Sequence, residues 1–238
     1  MPRTVADELR PVAQALLARD AWLSDFLPEV VQAWSRHAPM LQLAPGESLC
    51  RRGSAVPALT VVVSGTLEVT QVSALGRRHV WSYLGAGQWM NLVPVLDRQP
   101  AIHDVAAHEE TQVLQIPAGA FRTAVEHHPK AMASLLRLLC LRSRVLYEHV
   151  ADTALLTLRA RCARTLLSLM VAHGLPRAQG VAISLKVSQN ELADMLGCTR
   201  QSINRELKQL EREGLIAMRY SRFAISDEAG LRRLVDPP

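Results

Sequence analysis

The sequence lacks long apolar runs and any recognisable export signal, and both absences limit what the protein can be. The chain has 238 residues, of which 49% are hydrophobic and 21% are charged. No stretch reaches the roughly 18 consecutive apolar residues that a membrane-spanning helix needs. The first four residues lack the basic-then-apolar order of a secretory signal. We therefore expect a globular protein located in the cytoplasm, with no membrane partner.

Cysteine is also scarce, and the four that are present are scattered at Cys50, Cys140, Cys162 and Cys198. A structural zinc site or an iron–sulfur cluster needs clustered ligands, which this spacing does not provide. Free buried thiols are the expectation in a reducing compartment. The chain also has no nucleophile elbow, P-loop or HExxH motif. We therefore predict a protein that is not an enzyme and has no metal site.

Acidic residues are in deficit, and the deficit lies at one end of the chain. There are 27 Lys and Arg residues against 22 Asp and Glu residues, a net charge of +5. Residues 1–153 contain 14 of each kind, whereas residues 154–238 contain 13 basic and 8 acidic residues. A basic surplus confined to one end suggests a polyanionic partner for that end.

The hydrophobic periodicity changes twice along the chain. Residues 1–40 have helical spacing punctuated by prolines, which predicts short helices. Apolar and polar residues alternate with a period of two over residues 41–116. This pattern predicts strands over 59–63, 66–70, 79–84 and 111–116. Ser64-Gly65 is predicted to form a tight hairpin, and residues 117–119 a turn. Many short strands at this spacing favour an antiparallel barrel or roll.

A long helix over residues 129–153 follows the strands and carries an a/d seam. The seam consists of Met132, Leu136, Leu139, Ser143, Leu146 and Val150. This pattern predicts a dimer interface, and the alternative is a helix packed on its own domain. A second helix over 155–172 is expected to carry Arg159, Arg161 and Arg164 on its outer faces. The charge changes between these helices, so we place a domain boundary there, giving domains 1–153 and 154–238.

A helix-turn-helix is predicted over residues 188–211. Ser188 and Glu191 form a capping box, Gly197 ends the first helix, and Thr199 caps a second helix that continues to about residue 212. A strand over 181–185 precedes the motif. Two strands over 215–218 and 221–225, joined near Tyr220, follow it and would form a wing carrying Arg219 and Arg222.

The polar face of the second helix suits a DNA major groove. Arg can bind guanine with two hydrogen bonds, and Gln or Asn can bind adenine in the same way. Residues in the amino-terminal half of such a helix are the ones expected to reach base edges. The predicted base-reading residues are Arg200, Gln201, Asn204 and Arg205. The predicted phosphate contacts are Ser188, Gln189, Thr199, Ser202, Lys208 and Arg222.

These segments resemble the Crp/Fnr family of transcription regulators. The run SQNELADMLGCTRQSINRELKQLEREGLI at 188–216 is similar to the DNA-binding module of that family, and PGE at 45–47 and VVVSGTLEV at 61–69 are similar to the first strands of its sensor. The resemblance implies an α+β fold with an N-terminal antiparallel β-roll (a cyclic-nucleotide-binding-like jelly roll), a dimerisation helix at about 129–153 and a C-terminal winged helix-turn-helix. It implies double-stranded DNA, a second copy of the chain and RNA polymerase as partners.

The resemblance assigns base reading to Arg200, Gln201 and Arg205. Most family members have Glu where this chain has Gln201. Glu accepts a hydrogen bond from cytosine, whereas Gln suits adenine. We therefore expect the half-site to differ from the usual family half-site at that base pair.

The sensor departs from the family pattern at the residues that would hold cyclic AMP. Members that bind this nucleotide carry Gly-Glu and, about ten residues later, Arg with Ser or Thr, whereas this chain has Asn91-Leu92 and Ile102-His103. These substitutions argue against cyclic AMP. The remaining cavity would be apolar and aromatic, and its predicted lining is Trp81, Tyr83, Trp89, Met90, Leu92, Val95, Leu146 and Tyr147. It could bind an apolar or aromatic effector, or it could be a filled core.

Two alternatives to this interpretation start from the histidines and from the arginines. Pro2, with His79, His103 or His108 as an axial ligand, would suit a haem-based gas sensor. No Cys or His stands in the first turn of the sensor cassette, which argues against haem. A protein whose main role is to bind a small molecule (a cyclic nucleotide, haem or a gas) would be favoured if Arg200 and Arg205 were buried or paired internally.

Overall fold

The computed structural model describes residues 3–4, 7–178, 180–219 and 222–236, and divides the chain into two compact units. The first unit contains the residues up to 75 together with 81–143, and the second contains 76–80 together with 144 to the end. Among the described residues, no helix combines the length and the apolar character that crossing a bilayer requires. The predicted domain boundary between residues 153 and 154 stays a prediction. It falls inside a continuous helix that runs from Pro129 to Leu155.

The first unit is a β-roll with helices before and after it. Its elements are β1 Arg3–Thr4, α1 Arg10–Arg19, α2 Pro28–His37, β2 Met40–Leu43, β3 Ser48–Cys50, β4 Ala58–Ser64, β5 Leu67–Val72, β6 Arg78–Leu84, β7 Trp89–Met90, α3 Leu92–Asp97, β8 Asp104–Ala107, β9 Thr111–Pro117 and α4 Ala118–His127. Short 3₁₀ helices cover Asp7–Leu9 and Ala21–Leu23. Both β6 and the long helix α5, Pro129–Leu155, have residues in each unit.

The roll consists of two sheets, as its short alternating strands predict. One sheet has the order β1-β2-β9-β4-β7 and the other the order β3-β8-β5-β6. The long pairing of β4 with β9 is antiparallel and places Leu59 opposite Ile116 and Val61 opposite Leu114. The predicted strands, and the antiparallel roll that they form, are therefore confirmed.

The prediction of a hairpin at Ser64-Gly65 is wrong, because β4 and β5 belong to different sheets. Gly65 has φ +76°, and a Cβ atom there would lie 2.2 Å from the carbonyl oxygen of Glu110. The next residue, Thr66, donates its backbone N–H to the Thr111 hydroxyl at 3.0 Å. The glycine lets the chain cross from one sheet to the other in close contact with the Glu110–Thr111 backbone.

Strand β4 separates two apolar clusters because both of its faces are covered. Val62 packs inside the roll with residues such as Leu43, Leu67 and Val113. Its neighbours Leu59, Val61 and Val63 face the helices, where Phe26, Trp34 and Phe121 form an aromatic core. Residues 117–119 do not form the predicted turn, since Ala118 begins α4 and the buried Phe121 anchors that helix in this core.

The second unit is helical with a four-stranded sheet. Its elements are α6 Leu158–His173, β10 Gly174–Arg177, β11 Gly180–Ile183, α7 Gln189–Leu196, α8 Arg200–Arg212, β12 Ile216–Arg219, β13 Arg222–Ile225 and α9 Glu228–Val235, and the sheet order is β10-β11-β13-β12. Leu155 ends α5 rather than beginning α6, because the Thr157 hydroxyl caps α6 by accepting from the Ala160 N–H at 3.2 Å. The predicted wing is present as the antiparallel β12–β13 pair, whose connection at Tyr220 and Ser221 lies outside the described residues.

The four cysteines are all free thiols, but the expectation that they are buried holds fully for Cys162 alone. Cys140 is exposed, and Cys50 and Cys198 are half-buried. Burial raises the pKa of the Cys162 thiol to about 12, with smaller contributions from the nearby Glu206 and Cys198. Cys162 is therefore a packing residue of α6 that stays protonated at neutral pH.

Candidate nucleic-acid interface and effector cavity

Two local capping interactions set the path of the helix-turn-helix. The Ser188 hydroxyl accepts from the Glu191 N–H at 3.2 Å, and the Glu191 carboxylate accepts from the Ser188 N–H at 2.6 Å, which completes the predicted capping box. Gly197, with φ +63°, ends α7, and the Thr199 hydroxyl caps α8 by accepting from the Ser202 N–H at 3.2 Å. These residues satisfy helix-end donors that would otherwise lack partners.

Packing then fixes which face of α8 points outward. Leu192 and Leu196 of α7 are buried, as are Ile203, Leu207 and Leu210 of α8. The opposite face of α8 exposes Arg200, Gln201, Arg205 and Lys208. Residues 201, 205 and 208 are separated by steps of four and three, so they form one row along the helix.

Arg205 of this row and the neighbouring Arg200 are available to a ligand. The Arg205 side chain is 75% exposed, and its Nε lies 3.8 Å from the carboxylate of its neighbour Glu206. Such a contact at the surface is weak. Arg200 is exposed as well. The alternative of a sensor without DNA binding required both arginines to be buried or paired internally, so the geometry favours a nucleic-acid interface.

Asn204 and Ser202 are less accessible than their neighbours. Asn204 is half-buried, and its Oδ1 atom is buried without a hydrogen bond from any described residue. The Ser202 and Thr199 hydroxyls lie 2.9 Å apart and hydrogen bond to each other. Among the four predicted base-reading residues, Asn204 is therefore the least accessible.

Several predicted phosphate contacts lie together in a groove of about 360 Å³. Ser188, Gln189 and Arg222 line it, and Arg200 of α8 contributes to the same groove. The backbone N–H groups at the start of α7 carry partial positive charge, which favours an anion there. Of the other three candidates, Thr199 and Lys208 are exposed and Ser202 is half-buried. On the wing, Arg219 and Arg222 are cross-strand neighbours and both are exposed.

The three arginines of α6, expected on its outer faces, are half-buried, and each has a partner within the second unit. Arg159 pairs with the Glu213 carboxylate, and this hydrogen bond lowers the pKa of Glu213. Arg161 donates to the Leu196 carbonyl at 2.5 Å, and Arg164 donates to both carboxylate oxygens of Asp152 at 2.7 Å. Part of the basic surplus in the last third of the chain therefore has a structural role.

A cavity of about 340 Å³ lies in the first unit, where an effector was predicted. Trp81, Trp89, Met90 and Leu92 line it as expected. Tyr83 does not line it, since its hydroxyl donates to Glu68 at 3.0 Å and its ring packs edge-on against His108. Val95 packs in the helical core instead. Leu146 and Tyr147 are exposed residues of the second unit and are also not among the lining residues.

Four polar residues that were not part of the predicted apolar lining also line the cavity: Ser82, Asn91, His103 and Arg142. Asn91 has φ +71° and its Oδ1 accepts from the Cys50 thiol at 3.9 Å. The His103 and Trp81 ring centroids lie 5.5 Å apart. Arg142 comes from α5, about 40 residues beyond the other lining residues, so no local sequence pattern connects it to them. Burial lowers the pKa of Arg142, and the Asp20 carboxylate opposes this effect.

The candidate haem ligands are spread over the structure. His103 lines the cavity, while His108 packs on Tyr83. The Nδ1 atom of His79 lies 2.8 Å from the Asp194 carbonyl oxygen. Pro2 lies outside the described residues. This arrangement does not gather the haem candidates around the cavity.

Both units match known protein families. Residues 160–234 match the model of the Crp-like helix-turn-helix domain, and residues 40–128 match that of the cyclic nucleotide-binding domain. The chain is 22% identical, over 92% of its length and 97% of the relative, to the CRP-like cAMP-activated global transcriptional regulator of Mycobacterium tuberculosis (strain ATCC 25618 / H37Rv).

Solved structures agree with these matches. The structure of FixK2 from Bradyrhizobium japonicum has a TM-score of 0.75 at 18% identity, covering 84% of this chain and 98% of that one. A CRP-family transcriptional regulator from Thermus thermophilus has a TM-score of 0.67 at 27% identity, covering 82% of this chain and 95% of that one.

Proposed function

We propose that this chain, which belongs to the Crp/Fnr family of transcription regulators, binds DNA as a homodimer. Its site is near-palindromic, and α8 lies in the major groove. Regulators of this family bind DNA and act as dimers, and the family consists of regulators rather than enzymes. The observation that carries the proposal is the outward polar face of α8, where Arg200, Gln201 and Arg205 are all exposed. We assign no catalytic role to the chain.

The proposed contacts with DNA bases and phosphates follow from the chemistry of each side chain. Arg200 and Arg205 bind guanine edges, and Gln201 binds adenine, with Asn204 as a further base contact. Phosphate contacts come from the remaining predicted set, Ser188, Gln189, Thr199, Ser202, Lys208 and Arg222. Residues 154–238 form the DNA-binding domain in this proposal, and residues 1–153 form the sensor with the dimerisation helix.

The proposed dimer uses α5. Met132, Leu136, Leu146 and Val150 are large apolar residues that are about half exposed or more, and Ser143 is exposed as well. Leu139 differs, because it is partly buried against the core of its own unit. A two-fold dimer places its half-sites about 34–36 Å apart, one turn of the duplex. We place this dimer in the cytoplasm, where it meets the chromosome and RNA polymerase.

Regulation is proposed to act through the cavity of the first unit. The mycobacterial relative is described as cAMP-activated, but Asn91-Leu92 and Ile102-His103 replace the residues that the resemblance assigns to that nucleotide. We therefore propose an effector other than cyclic AMP, or regulation without an effector. An effector would shift the equilibrium between two arrangements of the DNA-binding domains.

The test is a selection of binding sites from a random duplex library, with the wild-type protein and Gln201→Glu side by side. We expect a near-palindromic site in both, with adenine preferred by the wild type and cytosine by the variant at one symmetric base pair. Enrichment of no sequence at all would overturn the function. The usual family half-site from wild-type protein would overturn the role of Gln201.

A further inference from the structure

The cavity of the first unit contains a cation, Arg142, that has no partner among the residues that the structure describes. Arg142 lines it and is half-buried. Among the described residues, no carboxylate lies within ion-pair distance of Arg142 and no hydrogen bond engages it. A partly desolvated charge without a counter-ion is unfavourable, and a bound anion would compensate it.

The nearest source of negative charge already has another role. Asp20 attracts Arg142 from a distance, but its Oδ2 accepts a hydrogen bond from the Trp89 indole N–H at 2.5 Å. No aspartate or glutamate belongs to the lining within the part of the chain that the structure describes. The electrostatics of the cavity therefore favour a negatively charged guest and disfavour a cation.

A second donor lines the same cavity as the arginine. The Asn91 side chain is buried, and its carbonyl oxygen accepts from the Cys50 thiol. Its Nδ2 group has no hydrogen-bond partner among the described residues, and Asn91 lines the cavity. Arginine and amide N–H groups together can satisfy the two oxygens of one carboxylate.

The rest of the cavity suits a flat, apolar body. Trp81, Trp89 and His103 contribute ring surfaces, and Met90 and Leu92 contribute aliphatic ones. The volume of about 340 Å³ is at the lower end of the range for small-molecule sites. Aromatic guests gain from offset or edge-on contacts with such rings.

We propose that this cavity binds a small aromatic carboxylate, with Arg142 and Asn91 holding the carboxylate and Trp81, Trp89 and His103 holding the ring. The proposal rests on the proposed function, because it names the effector class of the same cavity. In this proposal the residue that binds the charge of the ligand is on α5, whereas the family resemblance places that residue in the roll. An effector bound by α5 contacts the helix that we propose as the dimer interface.

The experiment compares matched pairs of probes that differ only in charge. Benzoate, phenylacetate and 2-naphthoate are titrated calorimetrically against the full-length protein, each beside its uncharged amide. We expect at least one acid to bind about 10- to 100-fold more tightly than its amide, because charge-assisted hydrogen bonds to a desolvated arginine are strong. In Arg142→Gln the acid and the amide should bind alike. In Arg144→Gln, which removes an exposed arginine of the same helix, the preference should remain.

Cyclic AMP is titrated against the same protein as a further probe, since it is also an organic anion with a flat ring system. Tighter binding of cyclic AMP than of every aromatic acid would overturn the proposal, and so would equal binding of acids and amides to the wild type, or no binding at all. Circular dichroism and thermal melting establish that both variants are folded. DNA binding is measured on the same preparations, so that retained DNA binding without ligand binding would overturn this inference and leave the regulator function standing.

Discussion

At the scale of single residues, the outward row of α8 allows base contacts to be separated from phosphate contacts. Arg205 is in the amino-terminal half of the helix and Lys208 is nearly one turn further on, and both are exposed. Arg205→Ala should lower the affinity for the selected site by about 1–3 kcal/mol, with little change on random DNA. Lys208→Ala should weaken binding to both duplexes about equally.

The measurement is fluorescence anisotropy on specific and random duplexes over a series of salt concentrations. Loss of a phosphate contact in Lys208→Ala should reduce the salt slope by about 0.9 per protomer. Equal losses on the two duplexes for Arg205→Ala would identify Arg205 as a phosphate contact and contradict its base-reading role.

The Cys162 thiol predicts how stability changes in alkali. Burial raises its pKa to about 12, from the ordinary value of 9.0 in the unfolded chain. The folded state therefore favours the neutral thiol, so this contribution to stability is present below pH 9 and is lost between about pH 9 and 12. By about pH 10 the loss should reach roughly 1 kcal/mol.

Cys162→Ala provides the comparison, with urea unfolding at about pH 8 and pH 10 under reducing conditions. Alanine leaves a cavity in α6 and should lower stability at both values, but the further loss at high pH should be smaller than in the wild type. Identical pH dependence of the two proteins would show that the thiol does not ionise on unfolding.

The residue scale also shows what sequence alone could reach. Ser188, Gly197 and Thr199 act on helix ends within a few positions of themselves, so a local pattern predicts them correctly. Arg142 could not be predicted, because only the folded chain brings α5 beside Trp81 and Trp89. The Arg164–Asp152 pair illustrates the same limit, since a charge pattern does not reveal whether an arginine has an internal partner.

At the scale of elements, the chain crossing after β4 depends on a single glycine. Gly65 and Gly76 have nearly the same φ, +76° and +75°, but a Cβ atom at 65 would meet the Glu110 carbonyl, whereas nothing lies within 4 Å at 76. Gly65→Ala should cost about 2 kcal/mol or more, from backbone strain plus the clash. Gly76→Ala should cost about 1 kcal/mol, from backbone strain alone.

Chemical denaturation of the two variants measures this difference, because strain and clash are separated by the matched pair. Equal losses would show that the roll relaxes around position 65 and that its close approach to Glu110 is not needed.

Period-two alternation located β4 and β5 correctly. It could not distinguish a hairpin from a crossing between sheets, because a glycine with positive φ between two strands is compatible with both.

The helices α4 and α9 were among the parts of the fold least visible in the sequence. The helix α4 begins at Ala118-Gly119, residues typical of a turn, and it forms because Phe121, Ala124 and Val125 are buried. In the second unit, α9 was not predicted, although Leu231 and Val235 are buried and the Asp227 side chain caps its first turn. These contacts join residues far apart in sequence, so burial decides where short-range patterns are ambiguous.

At the scale of the whole molecule, dimerisation and operator symmetry are linked. The side chains of Leu136 and Val150 in α5 are 61% and 66% exposed. Exposed apolar surface of this kind is typical of a face that binds another protein. Leu136→Asp combined with Val150→Asp places two charges per protomer in the proposed interface and should convert the dimer into a monomer, as measured by sedimentation velocity. Leu75→Asp, at a site that is 89% exposed in the β5–β6 connection, is the control and should remain dimeric.

The same variants connect assembly to DNA recognition. A dimer gains from engaging both halves of a palindrome at once, since the second contact occurs at a high effective concentration. The wild type should therefore bind the full site about 100-fold or more tightly than a single half-site, whereas the charged α5 variant should bind the two about equally. A monomeric variant that retained the full preference would show that symmetry is read without α5. A variant that stayed dimeric would place the interface on another surface, and α5 would then have to pack on its own domain, the alternative that the a/d pattern left open.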